Sequence, residues 1–427
     1  MRLGVGLLLT VGLTGCGSDD PSADPSPSAT ANETTGETET TAPETEEASP
    51  AAASDDPIQI AVMADRSDAL AFFGQRAQEG WDVALEAIDA QIAGRTVEYI
   101  NVQCSEPAAC GGDTARVIRE DGADLIMGTP GSALALAISQ AAADNEVVYF
   151  ETASLASALL PEGTSDYIFR GAPSTEILNE GVTLAIERWY EQIGQEVQGA
   201  TAMLVNEGSA ANQDSADVQQ ELLGGLGIEI VDQIEYQADG DFRPIAQRIA
   251  DTDADILVET SYVGDGIALN TELAQLNYVP DLHVIAGAPA PADQLEALGA
   301  EYLENIVHVT YPAMDVQTDA MDEFRTVFDE VHGGEPDSPY PITYYSSARI
   351  LFDILEATGG DATPATFKDA ASQMDVPVGS YANGWGAAFD DRGQNQRAVS
   401  NVIQWQGGEV CTVLPADVAA CELQTNG

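Results

Sequence analysis

From residue 57 onward the chain alternates between two hydrophobic periods. Short apolar runs, the mark of strands buried on both faces, are separated by stretches whose apolar positions recur every three or four residues, the mark of helices. Residues 58–64 (IQIAVMA) predict a strand, and 73–88 predict a helix with Ala77, Trp81, Ala84, Leu85 and Ile88 on one face. Residues 96–103 alternate as a strand does. A helix at 113–120, a strand at 124–128 (DLIMG), a helix at 132–144 and a strand at 147–150 follow. The order then becomes helix before strand: 176–193 and 200–205, 215–226 and 228–234, 242–250 and 255–259, 266–276 and 282–286. This is the pattern of an α/β protein with doubly wound, Rossmann-like parallel sheets. It runs too long for one sheet, so two lobes are expected. Extended segments at 169–174, 306–312 and 397–402 are the expected crossings between them. Late helices at 320–331, 344–357 and 365–373 would return the chain to the first lobe. The expected division is 57–172 with 312–397 in lobe 1, and 173–311 with 398–427 in lobe 2. Ligands in such sheets sit beyond the carboxyl ends of the strands, which directs attention to the loops that follow them.

The N-terminus breaks this pattern. Met1-Arg2 and the apolar run 3–13 form a signal-like segment too short to span a bilayer. It ends in Leu13-Thr14-Gly15-Cys16, which resembles a bacterial lipobox. Residues 1–15 are therefore expected to be removed and Cys16 to be acylated, holding the protein to the outer face of a membrane. Residues 17–56 carry eleven acids and no base among Pro, Ser, Thr, Ala and Gly. Such a segment cannot bury enough apolar surface to order itself, and 16–56 is expected to act as a tether with a reach of about 35 Å. Residues 57–427 still carry 60 acids against 14 bases, a net charge of −46. That balance excludes nucleic-acid partners, which need clustered Lys and Arg. It also predicts an acidic, halophilic-type surface whose stability rises with salt.

Export bears on the cysteines. Cys104, Cys110, Cys411 and Cys421 are an even number outside the cytosol, which suggests two disulfides. Three connectivities exist; the sequence-local one, Cys104–Cys110 and Cys411–Cys421, closes the shortest loops. No CxxC occurs and His283, His308 and His332 are scattered, so no metal site is expected. Enzyme motifs fare no better. GxxxxGK[ST], GxSxG and HExxH are absent. Gly224-Gly225-Leu226-Gly227 is read as a helix end. Lys368, the single lysine, falls on an amphipathic helix and is expected in solvent. No catalytic residue and no cofactor is expected.

The residues then carry a family likeness. IQIAVMADRSDALAFFGQRAQEGWDVALEAID, ADLIMGTPGSALALA, VVYFETASLASALL, YIFRGAPS, DGDFRPIAQRI and FDDRGQNQ…VIQW, in this order, resemble a type I periplasmic solute-binding protein of the branched-chain amino-acid (leucine-binding) class of ABC transporters. The resemblance covers nearly all of 57–427 and implies two lobes, three crossings and a small polar ligand (amino acid, amide or related carboxylate) in the cleft. It implies an ABC permease and ATPase as partners. A sensor that presents the ligand to a membrane receptor is the alternative, and a hydrolase the remote one. Carried over by position, the resemblance implies Phe73 against the ligand's side chain and Ser132 on its carboxylate. It also implies the backbone of Ala153 and the hydroxyl of Ser154 in the next loop, and Tyr262 from the second lobe. Two departures stand out. Ala211-Asn212 occupies a place commonly held by Tyr-Gly, and 287–290 (GAPA) lacks the acid that pairs with a ligand ammonium. Glu151 and Asp265 are the candidates to replace that acid.

Overall fold

The computed structural model describes residues 56–67, 70–160, 163–287, 291–304 and 306–425. The expected signal, Cys16 and almost all of the tether lie outside the described residues.

The first sheet grows from an unbroken strand–helix alternation. Strand β1 (Ile58–Asp65) leads to α1 (Ala71–Glu86), then β2 (Gln91–Ile92) and β3 (Arg95–Cys104), then α2 (Pro107–Arg119) and β4 (Leu125–Gly128). Helix α3 (Ser132–Asp144), β5 (Val148–Glu151) and β6 (Ile168–Arg170) complete it, in the order β2-β3-β1-β4-β5-β6. β1 is parallel to β3 on one side and β4 on the other, and only the short β2 runs antiparallel. The sequence order reverses at β1, which opens a crevice beyond its carboxyl end.

The second sheet follows α4 (Thr175–Ile193). It contains β7 (Thr201–Glu207), α5 (Ala210–Gly225), β8 (Glu229–Tyr236), α6 (Phe242–Thr252), β9 (Ile256–Ser261), α7 (Val263–Gln275) and β10 (Leu282–Gly287). Helices α8 (Pro291–Leu298) and α9 (Ala300–Leu303) precede β11 (Val307–Thr310). The chain then forms α10 (Asp319–His332), α11 (Tyr340–Ala357) and α12 (Pro364–Ser372) before β12 (Asn401–Gln406) and β13 (Glu409–Leu414). The order is β13-β12-β11-β10-β9-β7-β8, parallel from β8 to β11 with an antiparallel hairpin at the edge.

Among the described residues the chain passes between the sheets three times: after β6, after β11 and before β12. The late helices pack on the first sheet. Trp81 of α1 is fully buried edge-on to Tyr344 of α11, ring centroids 5.9 Å apart, and Phe367 of α12 meets Phe169 at 4.9 Å. A separate core of Leu178, Ile186, Val258 and Val309 fills the second lobe.

Three details differ from the sequence reading. Helix α2 starts six residues early, at Pro107, whose fixed φ suits the first turn. Helix α11 starts at Tyr340 rather than 344, with Pro341 in its first turn. The extended segment expected at 397–402 becomes strand only from Asn401, then turns at Gly407-Gly408, both with positive φ, into β13. Cys104 at the end of β3 is joined to Cys110 on α2, and Cys411 on β13 to Cys421, with Cα separations of 5.4 and 6.0 Å. Gly224 and Gly225 do end a helix, and Gly227 follows with a φ of 77°. Lys368 is paired with Asp166 at the surface.

Candidate ligand cleft

A cavity of about 300 Å³ lies between the two sheets and is lined from both. The first lobe gives Leu70, Phe73, Pro130, Ser132, Ala133, Ala153, Leu155 and Tyr344; the second gives Leu178, Ala211, Asn212, Ser215, Thr260, Ser261, Tyr262, Ala286 and Gly287. Thr175 and Tyr311 enter from the crossings. Five of these groups sit in or next to the first turn of a helix: Leu70 and Phe73 at α1, Ser132 and Ala133 at α3, Thr175 at α4, Ala211 and Asn212 at α5, Tyr262 at α7. A helix N-terminus carries a partial positive charge. At α4, Ser174 and Leu155 O already take the first amides, and Glu176 in α4 and Asp265 in α7 offset the charge, while α1, α3 and α5 have no acid in the first turn. No charged side chain is among the described lining residues. A larger open groove, about 690 Å³, runs between α4 and the C-terminal residues, but a single lobe forms it.

The lining hydroxyls are mostly engaged elsewhere. Ser261 Oγ donates to Glu259 at 2.6 Å, and Thr260 Oγ1 accepts from Gln219 at 2.9 Å. Thr175 Oγ1 lies 3.0 Å from both Leu155 O and Asp214 Oδ2. Ser132 differs. Its oxygen accepts from Ser154 Oγ at 3.1 Å, which leaves its own hydrogen for a ligand. It also begins α3, whose N-cap is Gly131 and whose first amides no side chain caps. An anion placed there meets a hydroxyl, free amides and the helix dipole together.

Phe73, Ser132, Ala153 and Tyr262, all named from sequence, reach the cavity. Phe73 packs edge-on to Tyr340, centroids 4.8 Å apart, and Tyr262 stands at the rim, 39% exposed. Ser154 is buried behind Ser132 and acts through it. The backbone expectation for Ala153 needs correcting, because its N–H already donates to Glu151 at 2.8 Å.

Glu151 and Asp265 do not line the cavity. Glu151 is fully buried and takes the amides of Thr129, Thr152, Ala153 and Ser154 together with the Tyr149 hydroxyl. Burial pushes its pKa up to about 7. Asp265 is 6% exposed on the first turn of α7 and accepts from Tyr236 Oη at 2.7 Å; burial raises it too. Both acids turn inward to local donors instead of toward a ligand. Tyr311 went unread as a site residue, and Tyr344, at the expected start of a helix, reads from sequence as core packing. Tyr311 and Tyr344 come from a crossing and a late helix, far in sequence from the rest. Only the rule that strand ends carry ligands could have found Thr260 and Ser261.

A family model described as periplasmic binding protein matches residues 57–409. Leu/Ile/Val-binding protein homolog 8 of Brucella abortus (strain 2308) is 26% identical over 367 residues, 84% of this chain and 90% of that protein. Homolog 7 of the same strain is 25% identical over 376 residues, 86% of this chain and 94% of that protein. Among solved structures, the leucine binding protein LivK of Thermotoga maritima aligns with a TM-score of 0.69 at 20% identity, over 84% of this chain and all of the other. An ABC-transporter solute binding protein of R. palustris in complex with benzoate aligns at 0.68 and 14% identity, over 87% and 98%. LivJ of Streptococcus pneumoniae in complex with isoleucine aligns at 0.67 and 18% identity, over 87% and 100%.

Proposed function

The chain belongs to the periplasmic binding protein family, and from that premise we propose that it captures a small organic carboxylate between its lobes for an ABC importer. The observation that carries the reading is the convergence of five helix N-termini, three of them (α1, α3 and α5) without an acid in the first turn, on a cavity without a charged side chain among its described lining residues. Each of those three favours an anion by about 0.3–1 kcal/mol. The same field opposes an ammonium, and a buried ammonium without a counter-charge costs several kcal/mol. Phe73, Tyr262, Tyr311 and Tyr344 offer an apolar body its packing surface. Isoleucine and benzoate, the ligands of two structural relatives, differ in that ammonium, and this cleft suits the second kind. The ligand class is therefore a carboxylate with an apolar or aromatic body and no amino group.

Contacts from both lobes would favour a closed arrangement by hinge motion, and a permease with its ATPase would receive the ligand. Lobe 1 is assigned 57–172 and 312–397, and lobe 2 173–311 and 398–427. Acylated Cys16 and the acidic tether hold the domain outside the cell membrane, and the two cystine pairs are oxidised there. Replacing Cys16 should release the protein into the medium, and mass spectrometry without reductant should find both local disulfides. The test of the ligand class is calorimetry in high salt with benzoate, 4-methylpentanoate and L-leucine. The first two should bind at least tenfold more tightly than the third. Tighter binding of leucine overturns the argument from the missing acid.

A further inference from the structure

Glu151 lies where two ligand loops meet. One carboxylate oxygen accepts the amides of Thr152, Ala153 and Ser154, each at 2.8 Å. The other accepts the Thr129 amide at 3.1 Å and the Tyr149 hydroxyl. The Thr129 bond ties down the loop that continues through Pro130 to Ser132. The other three amides belong to the loop that carries Ala153 and Leu155 to the cavity. Arg170, the residue opposite Glu151 in the β5–β6 ladder, holds the same loop by its carbonyls. Its guanidinium donates to Ser154, Leu155 and Ala156 at 3.3, 3.0 and 2.9 Å and to Gln394 at 2.6 Å. An anion thus grips the loop's amides while a cation grips its carbonyls.

Every partner of the Glu151 carboxylate is a donor. The ionised form satisfies all five, and charge makes each of those bonds about twice as strong as a neutral one. A protonated carboxyl can place its hydrogen only on Tyr149 Oη, which must then turn its own hydrogen away, so the ring loses a charge-assisted bond and its hold on the amides weakens. We propose that Glu151 is a positioning residue that latches the cleft: ionised, it holds loops 129–132 and 152–156 in ligand-binding register, and protonated, it slackens them so that ligand leaves. This rests on the cleft being the ligand site.

The groups facing Glu151 leave it as the one that changes charge near neutrality. Tyr149 on its own strand, Tyr311 after β11 and Tyr344 on α11 are all pushed up by burial and stay neutral. Arg170 on β6 is lowered by burial only to about 10 and stays charged. Glu151 itself is raised by burial to about 7. With the ionised fraction as the competent fraction, apparent affinity falls about tenfold between pH 8 and pH 6.

The latch is tested first without ligand, by amide exchange at residues 129 and 152–154 in the full mature protein at pH 6 and pH 8, normalised for intrinsic chemistry. Protection should be several-fold lower at pH 6. Glu151→Gln should remove the pH dependence. Tyr149→Phe deletes one donor to the charged form, keeps the loop amides, and should move the midpoint to higher pH; it carries the test if the Gln variant does not fold. Benzoate affinity should follow the same midpoints in wild type and Tyr149→Phe. Equal protection at both pH values, or a pH dependence that survives Glu151→Gln, overturns the latch. A working latch in a protein that binds none of benzoate, 4-methylpentanoate and leucine at pH 8 overturns the reading of the cleft instead.

Discussion

Gly80 is the point where the packing of the first lobe reaches the cleft. It sits on the buried face of α1 against α11. A Cβ added there would lie 2.3 Å from Pro341 O, 2.8 Å from Tyr344 Cβ and 2.9 Å from Tyr345 N. None of these atoms can rotate away, since two are backbone and the third is fixed to it. Restoring ordinary contact requires α11 to retreat by roughly 1 Å. Overpacking of this kind costs about 1–3 kcal/mol, while Ala gains about 1 kcal/mol over Gly within a helix. With the new Cβ 2.3 Å from a carbonyl oxygen the cost lies at the upper end of that range, so Gly80→Ala should lose up to about 2 kcal/mol and melt a few degrees lower. Gly112→Ala, on the exposed face of α2 with nothing within 4 Å of the new Cβ, should gain up to about 1 kcal/mol. Because Tyr344 lines the cavity, Gly80→Ala should also weaken benzoate binding, and Gly112→Ala should not. Thermal and denaturant unfolding in high salt, with calorimetry on each variant, read all of this. A Gly80→Ala protein as stable as wild type and as tight a binder would refute the packing argument.

Ser132→Ala removes the lining hydroxyl at the uncapped start of α3 and should weaken a carboxylate about tenfold, while Phe73→Ala should weaken its apolar body comparably. Calorimetry decides; unchanged affinity in both variants dismisses the site. The net charge of −46 on residues 57–427 predicts a melting temperature that climbs between 0.1 and 2 M NaCl as self-repulsion is screened, and a flat response rejects that account. His308 on β11 is 2% exposed, and burial, then the neighbouring His283, lowers its pKa to about 3. A base depressed on folding contributes stability above its unfolded value, near 6.5, and loses it as pH falls toward 3. The loss between pH 6.5 and pH 4 is on the order of 3 kcal/mol, and His308→Met should flatten that part of the acid limb. Glu151 acts in the opposite sense, since an acid raised on folding favours the folded state as pH drops through 7. Denaturant titrations at both pH values distinguish them: equal acid slopes in wild type and His308→Met reject the buried-base account.

The strand–helix alternation was legible because parallel strands buried on both faces read as apolar runs such as LIMG and VYFE. The start of α2 was not, because PAACGG contains no periodic apolar face and only Pro107 marks it. Phe73, Ser132, Ala153 and Tyr262 came from the family likeness, carried over by position, and the fold brings all four to the cavity. Tyr344 was not legible, since its place in the wall depends on α11 packing back on α1 across more than half the domain. Glu151 shows the limit most clearly. Its place in a loop that the family likeness assigns to ligand contact made it a candidate for the missing acid. Its direction was decided by four amides, a tyrosine and Arg170, which only the folded chain brings together.

The acidity of the chain and the anionic ligand proposed for it pull in opposite directions, and the cleft would resolve the conflict locally. A field from 46 net negative charges repels a carboxylate over about 10 Å at 0.1 M salt and about 3 Å at 1 M. Inside the cavity the nearby helix ends dominate, because the described wall contains no acid and Glu151 and Asp265 are occupied by donors behind it. Affinity and approach therefore depend differently on salt. The association rate of benzoate should rise several-fold between 0.1 and 1 M NaCl, the reverse of ordinary electrostatic steering, while dissociation changes little. Neutral benzamide serves as the control and should associate at a rate independent of salt. Stopped-flow tryptophan fluorescence measures both, and a benzoate on-rate that is flat or falls with salt removes the argument that outer charge and inner helix ends act separately.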